Sequence, residues 1–174
     1  MWTPVSVPYA RPRTATAERL PTASEIRDCP FEISRRTGER IVALPFYVIK
    51  YGAATKAREG QALLYLEDCV PEVPTPRLLS MFQDSEDFFI VMERVPGPRL
   101  DHVWDSLSET EKDEICSELK AAFASMRNQT CPWCPAATGL WMAELCHIIC
   151  SGLMSKIIAS TGHSRTKPRS IRRL

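Results

Sequence analysis

Phe46-Tyr47-Val48-Ile49-Lys50-Tyr51-Gly52 is the stretch on which the reading of this chain turns. Its aromatic and β-branched residues have the composition of a strand, and a single lysine interrupts them. An ammonium buried without a partner costs several kcal/mol or gives up its proton, so Lys50 must either meet a carboxylate or point to solvent. A candidate partner follows in the next segment. Glu59 opens the apolar part of a helix, Glu59-Gly60-Gln61-Ala62-Leu63-Leu64-Tyr65-Leu66. Both orientations of Lys50 are compatible with the run taken alone.

The chain has 174 residues, enough for one domain with a sizeable core and short for two. It is 44% hydrophobic and 25% charged, the ordinary balance of a globular protein, and its net charge of +1 gives no electrostatic case for nucleic acid. Seven cysteines, an odd number scattered over the chain, fit free thiols in a reducing compartment better than a disulfide framework. No run approaches the roughly 20 apolar residues of a membrane span, so no membrane partner is expected. The first residues lack the apolar core of a secretory signal. The expected location is cytoplasmic. A transit peptide is the alternative, because Arg11 and Arg13 precede the first acidic residue, Glu18.

Residues 1–24, rich in Pro, Thr, Ala and Arg without periodicity, are expected to form a disordered or loosely attached arm. Phe31-Glu32-Ile33 suggests an edge strand, and Arg35–Arg40 a turn centred on Gly38. Strands are expected at Arg40–Leu44 and Phe46–Tyr51, with Pro45 marking a very tight turn between them. A helix over Ala53–Cys69 follows, with Leu63, Leu64, Leu66 and Val70 on its apolar side and Gly60 kept small for packing. Val70–Pro76 is a stiff, proline-rich connector. Arg77–Phe82 and Phe88–Met92, joined by the polar Gln83–Asp87, read as a hairpin. Glu93–Gly97 leaves the sheet. Ser108-Glu109-Thr110-Glu111 has the form of a capping box before a helix over 109–126. Trp141–Ala159 suggests a further helix, and the tail from Ser155 is basic and expected to be disordered.

The order strand, strand with lysine, helix with glutamate, strand, strand, linker, helix resembles the small lobe of a kinase-like fold. More narrowly, residues from about 40 to 127 resemble the fungal branch of the aminoglycoside phosphotransferase (choline kinase-like) family. The residues that carry the likeness are Val48–Gly52, Arg58–Ala62, Val73–Leu78, Phe89–Gly97, Leu100 with Trp104, and Glu111-Lys112 leading to Ser125-Met126-Arg127. The resemblance implies an α+β protein-kinase-like small lobe, an antiparallel sheet with one packed helix, followed by a linker and helical segments. It implies ATP as cofactor and a small-molecule hydroxyl as phosphoryl acceptor. Lys50 would lie against the nucleotide phosphates and Glu59 would hold its ammonium in place. The backbones of Glu93 and Val95 would meet the adenine edge. The phosphate-covering loop would fall at Arg35–Arg40, which carries one glycine and no glycine-rich pattern.

The chain also departs from the family. The family's catalytic loop is His-Gly-Asp followed by Asn, with a later metal-binding Asp. Here His102, His147 and His163 are followed by Val103, Ile148 and Ser164, and no carboxylate side chain occurs after Glu144. The Mg that accompanies ATP would therefore not be held by these residues. The expectation is a nucleotide-binding half without catalysis of its own, divided as an arm over 1–24, the lobe, linker and first helix over 25–127, and a non-family segment over 128–174. A mispredicted gene model and an evolved pseudokinase end are both open as its cause. A non-catalytic pseudokinase-type binding module is the alternative reading. A zinc-dependent interaction module is the third, because Cys131, Cys134, Cys146 or His147, and Cys150 have spacings that zinc can use.

Overall fold

Three hairpins, each closed by two residues, set the register of the sheet. The computed structural model describes residues 2–12, 18–98 and 100–128. Strand β2 (Glu32–Arg36) turns through Thr37 and Gly38 into β3 (Glu39–Ala43), with Arg36 opposite Glu39. Strand β3 passes into β4 (Tyr47–Gly52) through Pro45 and Phe46. Leu44 and Tyr47 exchange backbone hydrogen bonds of 2.8 and 3.3 Å there. The tightness suggested by Pro45 is real, since proline presets the backbone angle that the first corner of a turn requires. Strands β5 (Leu78–Asp84) and β6 (Asp87–Glu93) turn through Ser85, whose φ of 57° lies in the left-handed region, and Glu86.

With β1 (Tyr9–Ala10) these strands assemble into one antiparallel sheet of six, ordered β1-β5-β6-β4-β3-β2. The sixth strand corrects the expectation of a loose N-terminal arm. Tyr9–Ala10 forms β1, which pairs Tyr9 with Met81 and Ala10 with Ser80. Ordering such a segment requires backbone partners, and β5 supplies them from its otherwise open edge. Val5 and Gln61 add two hydrogen bonds, and the Arg11 guanidinium lies 2.5 Å from the Glu67 carboxylate.

Period-two alternation gives the sheet two buried faces. On one face, Leu78, Met81, Ile90 and Met92 pack with Leu63 and Leu64 of α2 (Ala57–Cys69). Gly60 is small for a steric reason: a Cβ there would lie 2.8 Å from Met81 Sδ. On the other face, Val42, Tyr47, Ile49, Tyr51, Phe89 and Val91 enclose Ile26. Ile26 belongs to α1 (Ala23–Arg27), a short helix within the segment expected to be unstructured or strand-like. Thr22 and Glu25 form its capping box. Ile26 is fully buried, a contribution of about 2 kcal/mol. Arg27 closes this face by lying 5.1 Å from the Phe89 ring centre and pairing with Asp84 and Asp87.

The expectation of one packed helix is thereby enlarged. Helix α2 covers one face, α1 the other, and a third apolar cluster forms behind α2. It joins Ala62, Tyr65, Leu66, Val70 and Val73 to Leu100 of α3 (Leu100–Val103), Leu107, and Ile115, Ala122 and Met126 of α4 (Glu109–Arg127). Helix α4 begins as its sequence indicates. The Glu111 N–H donates to Ser108 Oγ at 3.3 Å, and the Ser108 N–H donates to Glu111 Oε2 at 2.8 Å. Among the described residues no helix is long and apolar enough to cross a membrane. The expected zinc ligands, the Trp141–Ala159 helix and the basic tail lie outside the described residues.

Candidate functional site

Lys50 sits in β4 between β3 and β6, opposite Ile41 on one side and Ile90 on the other. Its side chain emerges on the α2 face and is 8% exposed, so the solvent-pointing alternative does not hold. Two carboxylates offset its burial. Glu59 Oε2 lies 2.6 Å from Lys50 Nζ and Glu39 Oε2 lies 2.7 Å from it.

Each carboxylate is placed by a different piece of local structure. Glu59 is the third residue of α2, where a carboxylate can reach back to an unpaired amide of the first turn. Its Oε1 accepts from the Lys56 N–H at 3.0 Å, which leaves Oε2 aimed at the ammonium. Among the described residues that oxygen receives no well-aligned hydrogen bond, so its contact with Lys50 is a close charge pair. The helix starts at Ala57 rather than at the expected Ala53. The Thr55 N–H donates back to the Gly52 carbonyl at 3.2 Å in a separate turn, and Lys56 is extended at φ −125° and ψ 146°, so helical backbone begins only after it.

Glu39, which the sequence reading passed over, opens β3. It shares a face with Ile41 and hence with Lys50 by the period of two. Its side chain is 17% exposed against 5% for Glu59. One ammonium between two carboxylates leaves the buried cluster with a net charge of −1. Burial pulls the Lys50 pKa down, but the close negative charges of Glu39 and Glu59 more than reverse this and hold it above the ordinary lysine value.

The expected phosphate-covering loop takes a different form from the one implied. Thr37 and Gly38 make a two-residue turn, Gly38 has a φ of 73°, and its carbonyl accepts from the Ala54 N–H at 2.9 Å. The turn is docked on the loop between β4 and α2, where a Cβ at Gly52 would come within 2.3 Å of Gly38 O. So short a turn has no residues free to arch over a ligand. Inside the same loop, the Thr55 hydroxyl is buried without a hydrogen-bond partner among the described residues.

Glu93 ends β6, three residues beyond the Ile90 that faces Lys50, or about 10 Å along the strand. Its N–H donates to the Arg77 carbonyl at 3.0 Å, and its carboxylate accepts from the Arg77 N–H at 3.1 Å. The amide of Glu93 therefore serves the sheet. Past it, the Arg94 N–H donates to the Phe46 carbonyl at 3.0 Å, after which Val95 makes no backbone hydrogen bond among the described residues. Lys50 and Glu59 are thus brought into contact, whereas Glu93 and Val95 lie at the far end of the neighbouring strand. Among the described residues no group of three or more His, Cys, Asp or Glu is arranged to hold a metal ion.

In comparisons with known proteins, no family model, no curated protein and no solved structure matched this chain.

Proposed function

We propose that this chain is the nucleotide-binding half of a kinase-like phosphotransferase of the aminoglycoside phosphotransferase (choline kinase-like) type. The observation that carries the reading is the Lys50–Glu59 pair: 2.6 Å apart, both side chains buried, joining a central strand to the helix that follows it. A strand lysine held by a helix glutamate presents its remaining N–H donors to nucleotide phosphates. The strand order supports the same reading, because two hairpins flank the lysine strand and the helix connects β4 to β5. Adenine would lie toward Val95, where the backbone has donor and acceptor capacity left over, and ATP would enter with its own Mg.

Phosphoryl transfer to a small-molecule hydroxyl belongs to this reading only at the level of the family. The 174 residues contain no His-Gly-Asp, and the described ones bring together no metal-binding carboxylate cluster. Their proposed role is to position the nucleotide. Thermal unfolding of the full chain with and without ATP and Mg tests this, since a ligand that binds only the native state raises its stability. The midpoint is expected to rise in the wild type and to stay fixed in Lys50→Ala. An equal rise in both would place binding elsewhere.

A second reading has its own observation. With Glu39 and Glu59 both on Lys50, the cluster also satisfies itself as a structural ion triad inside a non-catalytic binding module. An absence of any ATP-dependent shift, together with strong destabilisation by Lys50→Ala, would favour it.

A further inference from the structure

Lys50 has two carboxylate partners, and they are not equivalent. Glu59 is anchored twice, through Oε1 to the Lys56 N–H and through Oε2 to the ammonium, and it is 5% exposed. The Glu39 side chain has no hydrogen bond or ion pair other than Lys50 among the described residues, and it stands nearer to solvent at 17% exposed. It is the first residue of β3, directly after the Thr37-Gly38 turn. A side chain so placed can rotate outward without disturbing the core, whereas Glu59 cannot leave without uncapping α2.

The charge of the cluster gives that asymmetry a consequence. Both carboxylates crowd the one ammonium, Glu59 at 2.6 Å and Glu39 at 2.7 Å from Nζ. The net charge of −1 repels a polyphosphate, which brings further negative charge into a weakly screened site. We propose that Glu39 is a built-in competitor for Lys50: its carboxylate occupies the place beside the ammonium that a phosphate-bearing ligand needs, and the ligand binds as Glu39 swings out. Glu59 remains behind as the permanent partner that keeps Lys50 charged and aimed. The proposal rests on the reading of Lys50 as a phosphate-facing lysine. It adds that the resting site is closed to anions by the chain's own side chain. The ligand class is a nucleoside polyphosphate or an inorganic polyphosphate, which share the anion that displaces Glu39.

Calorimetric titration of ATP and of sodium tripolyphosphate, each without divalent cations, into the full chain tests this. The proteins compared are the wild type, Glu39→Gln, Glu39→Asp and Lys50→Met. Glu39→Gln removes the competing charge and keeps the shape, and Glu39→Asp withdraws the carboxylate by one methylene. Both are expected to bind about tenfold more tightly than the wild type, the scale of losing one charged hydrogen bond to Lys50, and Lys50→Met is expected not to bind. A gain for ATP alone would identify a nucleoside site. A gain for both ligands would identify a site for the polyphosphate itself. Lys50-dependent binding that Glu39→Gln and Glu39→Asp leave unchanged or weaken overturns the proposal and leaves the nucleotide reading standing. No binding by the wild type or either Glu39 variant at millimolar ligand, or binding that Lys50→Met does not affect, overturns both. Loss of the folded state in both Glu39 variants, read by circular dichroism, would make Glu39 a structural member of the triad and likewise overturn the proposal.

Discussion

Val5 and Gln61 are joined by a pair of hydrogen bonds that tie the N-terminal segment to α2. The Val5 N–H donates to Gln61 Oε1 at 3.0 Å, and Gln61 Nε2 donates to the Val5 carbonyl at 2.7 Å. Gln61 lies two residues from Glu59, so the arm holds the same turn of helix that holds Lys50. Gln61→Ala removes both bonds and is expected to destabilise the fold by about 1–2 kcal/mol. Hydrogen exchange would check it, with protection lost first at Val5 and in β1. An unchanged exchange pattern there would show that the arm is held by β1 pairing alone.

Gly52 approaches the β2–β3 turn too closely for any side chain. A Cβ would lie 2.3 Å from the Gly38 carbonyl oxygen, and the φ of 136° is strained for any L-residue that carries one. Gly52→Ala is expected to cost about 2–3 kcal/mol in chemical denaturation, because a backbone atom blocks the way and cannot rotate aside. A loss below 0.5 kcal/mol, roughly that of an ordinary surface substitution, would show that the two loops can separate freely.

Thr55 predicts the opposite sign. Its hydroxyl is buried without a partner among the described residues, and a buried polar group in that condition costs about 1–3 kcal/mol. Thr55→Val has nearly the same shape without the hydroxyl, so its stability should equal or exceed that of the wild type by up to about 1 kcal/mol. A marked loss in urea unfolding would reveal a partner that forms in solution.

Stability should respond to pH at both extremes, through different residues. Arg19 hydrogen-bonds the Glu25 carboxylate, with the Thr22 backbone and side chain assisting, and lowers its pKa to about 2. A depressed carboxylate stabilises the fold above its unfolded pKa. That contribution fades as pH falls from the ordinary value of 4.5 toward 2. Lys50 works at the other end. Its raised pKa makes a contribution that is complete below the ordinary value of 10.5 and is lost as pH climbs through the higher folded value. Lys50→Met should therefore flatten the alkaline limb of the stability curve. Proton NMR titration of Glu25 checks the acid limb independently.

Much of this geometry is written in the chain at short range. The unbroken apolar run Phe88–Met92, the Ser108/Glu111 box and the proline turn at Pro45 each act within a few residues, so hydrophobic pattern and turn chemistry reveal them. Glu39 was equally legible. Counting outward from the Pro45-Phe46 turn pairs Ile41 with Lys50 and places Glu39 on the same face. The N-terminal strand was not legible, because Tyr9-Ala10 has no pattern of its own and acquires its conformation from the edge of β5, some seventy residues away. Helix α1 carried a signal, the Thr22/Glu25 capping box. It was masked by the proline-rich composition around it, and Ile26 is ordered by a sheet face that only the tertiary fold supplies. The site had the same division: Lys50 with Glu59 follows from a strand and the next helix, whereas the docked Thr37-Gly38 turn depends on a contact with Ala54 across the fold.

Lys50 and Glu59 together form the proposed phosphate site, and equilibrium binding of ATP with Mg to the full chain reads out its function. Wild type and Lys50→Ala should be titrated side by side, with circular dichroism confirming that both are folded. Saturable binding by the wild type and none by Lys50→Ala is expected at the same concentrations. Equal binding by the two folded proteins, or no binding by either, would contradict it.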